Sequence, residues 1–235
     1  IFAKIGSKTE PKSEVKYVQN RKLVFFILEN NTIFVKLNLR EMKETVYLSR
    51  LCDKELIKRL QSSGAVLIEG AKWCGKTWTA AKIAKSTLYM QNPDTAVSNL
   101  KLADTKPSLL LQGNTPRLID EWQMAPILWD AVRFEVDKRN ETGQFILTGS
   151  AVPADNVIAH TGTGRISRLL MRPMSLYESQ ESDGSISLAD LFDGKTDIAA
   201  ISELTIENIA FAMCRGGWPA SVKHTGNTAL QMAID

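Results

Sequence analysis

Short apolar runs alternate with stretches of helical character from residue 65 to residue 171, and this alternation predicts an α/β fold with a parallel sheet. The predicted strands cover residues 65–68, 86–90, 117–120, 144–148 and 165–171. One predicted helix begins near Lys76, after the first strand. A second covers residues 126–138, with Pro126 in its first turn. Because residues 65–68 are apolar throughout, that strand suits burial on both faces, and we expect helices on both faces of the sheet.

Three further elements are predicted outside this alternation. Residues 24–28 and 32–37 form a candidate hairpin across Asn30-Asn31. A helix over residues 52–61 places Leu56, Ile57 and Leu60 on one face. Near the end of the chain, Thr205 caps a helix over residues 206–215, which Gly216-Gly217 and Pro219 stop.

The loop after the first strand of the sheet matches the phosphate-binding pattern GxxxxGK[ST]. Its glycines allow a tight turn that directs backbone N–H groups at phosphate oxygens; Lys76 reaches the β- and γ-phosphates, and the Thr77 hydroxyl binds Mg²⁺. The strand before it and the helix after it supply the context that the motif requires. The predicted nucleotide-binding residues are Gly70, Ala71, Lys72, Trp73, Cys74, Gly75, Lys76, Thr77 and Trp78.

The apolar strand 117–120 ends in two acidic residues, Asp120 and Glu121. They predict the hydrolytic half of a nucleotide site. In phosphate-loop enzymes the first acid at such a tip holds Mg²⁺, usually through water. Asp120 is therefore a predicted metal residue beside Thr77. Glu121 is placed to act as general base on the attacking water.

Two further segments carry candidate chemistry with open alternatives. Thr148-Gly149-Ser150 ends the next strand, where a hydroxyl senses the γ-phosphate or orients water, or simply caps a turn; Ser150 is preferred to Thr148. Arg165 follows Gly162-Thr163-Gly164 and is either a solvated arginine or one that neutralises phosphoryl charge, in cis or from a neighbouring subunit.

Composition limits the class of protein. A chain of 235 residues that is 44% hydrophobic buries one good core and a fragment of a second domain. Three cysteines without a CxxC pair suit a reducing cytoplasm, and no apolar run is long enough to cross a membrane. Residues 1–60 hold 13 Lys and Arg against 7 Asp and Glu, so contact with nucleic acid or an anionic membrane stays open, but scattered lysines in a poorly ordered tail are the preferred explanation.

The motifs together resemble those of a family of prokaryotic AAA-like ATPases, which read roughly LIDExQ, FiLTGS, GR and PlSf in this order. The matching segments here begin at Leu118, Phe145, Gly164 and Pro173, and Gly216-Gly217-Trp218-Pro219 resembles the opening of the C-terminal domain of unknown function that many members carry. The resemblance covers about residues 45–222. It implies ATP as the nucleotide, an AAA-type sheet and Arg165 as the arginine finger supplied by a neighbouring copy in a homo-oligomer.

With that resemblance, we divide the chain into three predicted regions. Residues 1–41 are an appended leader, poorly ordered or a weak hairpin, with Met42 as the natural start; residues 42–180 form the ATP-binding domain; residues 181–235 are a linker and the truncated start of a C-terminal domain, which would contact a protein partner. The preferred function is a Mg²⁺-dependent ATPase. A nucleotide-dependent switch with slow turnover and a DNA-associated mobile-element or remodelling ATPase are the alternatives.

Overall fold

The computed structural model describes residues 24–28, 31–35, 47–149, 162–197 and 199–234, which belong to two units divided between Tyr47 and Leu48. The first unit contains an antiparallel hairpin of β1 (Val24–Leu28) and β2 (Asn31–Val35), with Val24 opposite Val35. The predicted hairpin is confirmed, and its second strand begins one residue earlier than expected. The predicted leader and its boundary at Met42 fall largely outside the described residues and stay predictions.

A five-stranded sheet forms the centre of the second unit, in the order β4-β5-β6-β3-β7. All four neighbouring pairs are parallel, as the alternating pattern predicts. The strands are β3 (Ala65–Glu69), β4 (Ser86–Tyr89), β5 (Arg117–Asp120), β6 (Phe145–Thr148) and β7 (Ile166–Leu170). Each lies within one residue of its predicted bounds.

Helices connect the strands and continue beyond the sheet. Those that alternate with strands are α1 (Leu51–Ser62), α2 (Lys76–Ile83), α3 (Ala96–Thr105) and α4 (Ile127–Arg139). Short 3₁₀ turns lie at Pro107–Leu109 and Trp122–Met124. Four more helices follow β7: α5 (Leu188–Phe192), α6 (Ile206–Arg215), α7 (Pro219–Val222) and α8 (Gly226–Ile234). Within the described part of the chain, no helix combines the length and apolar content needed to cross a membrane.

The sheet is buried on both faces because alternate residues of each strand point to opposite sides. Leu67 joins the cluster that contains Trp129 of α4, whereas its neighbours Val66 and Ile68 join the cluster that contains Leu56 of α1. The expectation of helices on both faces is therefore confirmed. The strands are thereby packed between two apolar clusters, and the candidate site lies at the ends of these strands.

The structure corrects two details of the predicted helices. Leu56 and Leu60 are buried as expected, but Ile57 is 47% exposed, because one residue along a helix turns the side chain by about 100° away from that face. Pro126 is the residue before α4 rather than part of its first turn. The Thr205 cap is confirmed: its hydroxyl accepts a hydrogen bond from the Asn208 N–H at 3.2 Å.

Candidate nucleotide site

The loop between β3 and α2 has a backbone that requires glycine at both of its glycine positions. Gly70 has φ +147° and Gly75 has φ +103°, where a side chain is strained. A Cβ at Gly70 would also lie 2.0 Å from the carbonyl oxygen of Met171. Gly75 directly precedes the first residue of α2, so the loop passes straight into a helix N-terminus, whose free N–H groups favour an anion.

Lys76 is held inside this loop. Its ammonium donates to the carbonyl oxygens of Gly70 at 2.8 Å and Ala71 at 2.9 Å, and the residue is 7% exposed. A buried lysine normally needs an anionic or hydrogen-bonding partner, and here two backbone carbonyls serve. The ammonium is therefore held within the loop by its own backbone, and its predicted contact with phosphate stays a prediction.

Asp120 joins the loop to the ends of two other strands. One of its carboxylate oxygens, Oδ1, accepts hydrogen bonds from the Thr77 hydroxyl at 2.7 Å and the Thr148 hydroxyl at 2.6 Å. Asp120 and Thr148 are register partners on the parallel strands β5 and β6, so their side chains share a face of the sheet. The carboxyl ends of β3, β5 and β6 thus meet at one edge, where ligands of open α/β sheets bind.

The second oxygen of this carboxylate could serve as a ligand for a cation. Asp120 is 1% exposed, and its Oδ2 has no hydrogen-bond partner among the described residues. A buried carboxylate oxygen without a partner is costly, and Mg²⁺ prefers the oxygen ligands that Thr77 and Asp120 offer. No group of three or more His, Cys, Asp or Glu side chains in the described ranges could hold a metal ion. The residues fit Mg²⁺ if phosphate and water complete its shell.

Glu121 follows at the same edge in a conformation that few residues adopt. Its φ of +56° and ψ of +44° lie in the left-handed region and turn the chain sharply after β5. The side-chain amide of Gln123 donates a hydrogen bond to the Glu121 carboxylate. The other end of that amide, Gln123 Oε1, is buried with no partner in the part of the chain that the structure describes.

Arg165 lies at the opposite end of the strands, beside the first residue of β3. Its carbonyl accepts from the N–H of Ala65, the first residue of β3, so roughly 13 Å of strand separates it from the phosphate loop. Its guanidinium pairs with Asp137 at 2.8 Å, and the hydrogen bond and charge of Asp137 raise the pKa of Arg165. A role in cis does not fit this position, whereas a role toward the nucleotide of a neighbouring copy stays a prediction.

The other predicted residues differ in placement. Trp73 and Trp78 are 69% and 56% exposed, whereas Trp122 and Trp129, which were not predicted to bind nucleotide, are buried in the sheet core. Ser150 lies outside the described residues, so its role stays a prediction. The hydroxyl that does reach Asp120 belongs to Thr148, which the sequence ranked second.

Sequence reasoning missed a buried arginine beneath the loop. Arg50, just before α1, donates from Nη1 to the carbonyl oxygen of Cys74 at 2.8 Å and from Nε to Glu178 at 3.0 Å. Burial alone would raise the pKa of Glu178, but hydrogen bonds from Ser175, Leu51 and Arg50 outweigh it and hold the pKa below its usual range. The residues lie so far apart in sequence that no local pattern could have linked them.

Comparison with known proteins assigns the chain to a family. A family model described as an AAA domain matches residues 62–180, half of the chain. Among solved structures the chain is similar to a Signal Transduction ATPase with Numerous Domains (STAND) protein with a tetratricopeptide repeat sensor from Pyrococcus horikoshii, at 16% identity and a TM-score of 0.44; the match covers 80% of this chain and 32% of that one. No curated protein matches it. The phosphate loop and the family match together place the chain in the AAA domain family of P-loop ATPases.

Proposed function

We propose that this protein binds ATP with Mg²⁺ and hydrolyses it to ADP and phosphate. The observation that carries the proposal is the buried Asp120 carboxylate, which accepts from Thr77 and Thr148 through one oxygen, whereas its other oxygen has no hydrogen-bond partner among the described residues. A bound Mg²⁺ would give this oxygen the partner that it lacks. The family match supports ATP as the nucleotide.

Each residue at this edge then has a distinct role. Backbone N–H groups of the loop bind the phosphates, and Lys76 exchanges its bonds to the Gly70 and Ala71 carbonyls for phosphate oxygens. Thr77 and Asp120 would hold Mg²⁺, which neutralises charge on the phosphates when bound. Thr148 keeps the Asp120 carboxylate oriented through its hydrogen bond.

Glu121 is the general base of the proposed reaction. Its carboxylate takes a proton from water while the water oxygen forms a bond to the γ-phosphorus. The bond from that phosphorus to the β–γ bridging oxygen breaks, and ADP leaves with the electron pair. Proposed with this step is charge neutralisation by Arg165 of a neighbouring copy, which its exposed position on the opposite edge supports.

A second candidate is a nucleotide-dependent switch with slow turnover. It is favoured by the hydrogen bond from Gln123, which occupies a Glu121 carboxylate oxygen that a water would need. In that case nucleotide stays bound and is hydrolysed slowly.

Location in a reducing cytoplasm is also part of our proposal, and the free state of all three cysteines supports it.

A ligand panel tests nucleotide choice and metal dependence together. We expect ATP to raise the melting temperature more than GTP, and more with Mg²⁺ than with a chelator. Lys76→Ala should lose the ATP-induced shift, because the cation facing the phosphates is gone. Lys85→Ala, an exposed lysine two residues past α2, should keep it. An undiminished shift in Lys76→Ala contradicts the proposed site.

A further inference from the structure

Arg50 makes three hydrogen bonds that join the phosphate loop to a distant segment. Nη1 donates to the Cys74 carbonyl at 2.8 Å, Nη2 to the Arg172 carbonyl at 2.6 Å, and Nε to Glu178 at 3.0 Å. The side chains of Arg50 and Glu178 are only 4% and 7% exposed. A guanidinium suits this task because its donors point in fixed, diverging directions.

Glu178 is itself fully engaged, which fixes the arginine. Its Oε1 also accepts from the Leu51 N–H at 2.8 Å. Its Oε2 accepts from the N–H and hydroxyl of Ser175 at 2.8 and 3.1 Å. Both carboxylate oxygens are therefore satisfied, as a buried ion pair requires if it is not to cost stability.

The bond to Cys74 sets the direction of the next peptide N–H. In a trans peptide the carbonyl and the following N–H point in opposite directions, so the Gly75 N–H points away from Arg50. Gly75 also packs against the guanidinium, since a Cβ there would lie 3.4 Å from Nη1. Phosphate bound on the side of the loop away from Arg50 would meet this N–H.

We propose that Arg50, held by Glu178, is a positioning residue of the nucleotide site: it aims the Gly75 N–H at the phosphates and links the loop to residues 172–178. The inference rests on the proposed function, because it assigns the loop a phosphate ligand. It adds a residue pair outside the phosphate-loop motif that sets nucleotide affinity. It also gives bound nucleotide a direct route to the segment that leads into the C-terminal helices.

The chain contains a matched ion pair that serves as control. Arg215 is 5% exposed and donates to both oxygens of Glu181, each at 2.8 Å. Its other bond goes to its neighbour Gly216, not to the phosphate loop. The Glu181 side chain is 26% exposed, whereas that of Glu178 is 7% exposed. Loss of either pair should cost stability, but only loss of the Arg50–Glu178 pair should weaken nucleotide binding.

The test compares Glu178→Gln and Arg50→Lys with Glu181→Gln and Arg215→Lys in the full chain, below the lowest melting temperature of the set. We expect Glu178→Gln and Arg50→Lys to weaken Mg²⁺·ATP binding about tenfold or more, a loss of about 1.4 kcal/mol. The control variants should stay within about threefold of the unaltered protein. Arg50→Lys keeps the charge, so a loss there assigns the effect to geometry rather than to charge.

Hydrogen exchange of the loop amides in the nucleotide-free protein gives a second readout that does not depend on binding. Exchange should be faster in Glu178→Gln than in Glu181→Gln. Two results overturn the inference: Glu178→Gln binds Mg²⁺·ATP within threefold of the unaltered protein, or Glu178→Gln and Glu181→Gln lose the same affinity. If Arg50→Lys does not fold, the result for Glu178→Gln decides. If the unaltered protein binds no nucleotide, the proposed function fails, and equal loop exchange in the two glutamine variants would then overturn the positioning role separately.

Discussion

Replacing Asp120 by Asn should make the nucleotide-free protein slightly more stable while abolishing its response to Mg²⁺. Asn has the shape of Asp and can still accept through Oδ1 from Thr77 and Thr148, which lie 2.7 and 2.6 Å away. What disappears is the negative charge on a carboxylate whose second oxygen is buried and unpartnered among the described residues. Mg²⁺ should need this charged oxygen as a ligand, whereas the nucleotide-free protein should be more stable without the charge.

The expected size follows from two opposing changes. A charged oxygen buried without a partner costs on the order of 3 kcal/mol, and a neutral amide N–H in its place costs about 1 kcal/mol. Loss of the charge weakens each of the two hydroxyl bonds by about 0.5 kcal/mol. The net gain is about 1 kcal/mol, which raises the melting temperature of a unit of this size by about 2–4 °C.

Thermal unfolding with and without Mg²⁺ and ATP measures both effects in one experiment. At a ligand concentration 100 times the Kd, the unaltered protein should gain about 2.7 kcal/mol, or roughly 5–10 °C. Asp120→Asn should show a much smaller gain that is the same with and without Mg²⁺. Asp104→Asn, an exposed aspartate on α3, should change neither quantity.

Two results would refute this reasoning. A drop of several degrees in the nucleotide-free melting temperature of Asp120→Asn would mean that the charge stabilises the empty site through a partner we have not identified. An unchanged Mg²⁺-dependent gain would mean that the cation binds elsewhere, and Asp120 would then be a structural residue of the β5–β6 edge.

Three further predictions concern the base, the arginine and the buried ion pair. Glu121→Gln should bind ATP as before but lose turnover by about 100-fold or more, because the proton acceptor is gone; unchanged steady-state hydrolysis would remove its catalytic assignment. Arg165→Ala should lose turnover at unchanged affinity, and mixing it with Glu121→Gln should restore part of the rate, since one copy then supplies the arginine and the other the base; a mixture no more active than its components argues against action between copies. Because the pKa of Glu178 is lowered in the folded protein, its contribution to stability is present above about pH 4.5 and lost as the pH falls through the folded pKa, so acid titration should destabilise the unaltered protein more than Glu178→Gln, and equal acid sensitivity would contradict this.

Much of the fold, and the phosphate-loop part of the candidate site, can be predicted from the sequence because their signals are local. The glycines, lysine and threonine of the phosphate loop lie within residues 70–77, and the apolar strand that ends in Asp120 is predicted to point toward the same end of the sheet. The helix cap at Thr205 is likewise contained within four residues. Most features that depend on residues less than about one turn or one strand apart agree with the structure, and the exceptions are the burial of Ile57 and the place of Pro126.

Distances across the sheet had to come from the tertiary structure. Arg165 is adjacent to a glycine loop in sequence, yet the parallel register of β7 on β3 places it at the edge away from the phosphate loop. Register also selects Thr148 as the hydroxyl on Asp120, because only residues paired across β5 and β6 share a face at that point. Arg50 and Glu178 are separated by 128 positions, and neither lies in a recognisable motif. The sequence by itself predicted which residues would bind a nucleotide. The packing of distant segments decided which of them meet, because side-chain contacts depend on strand order and register rather than on spacing along the chain.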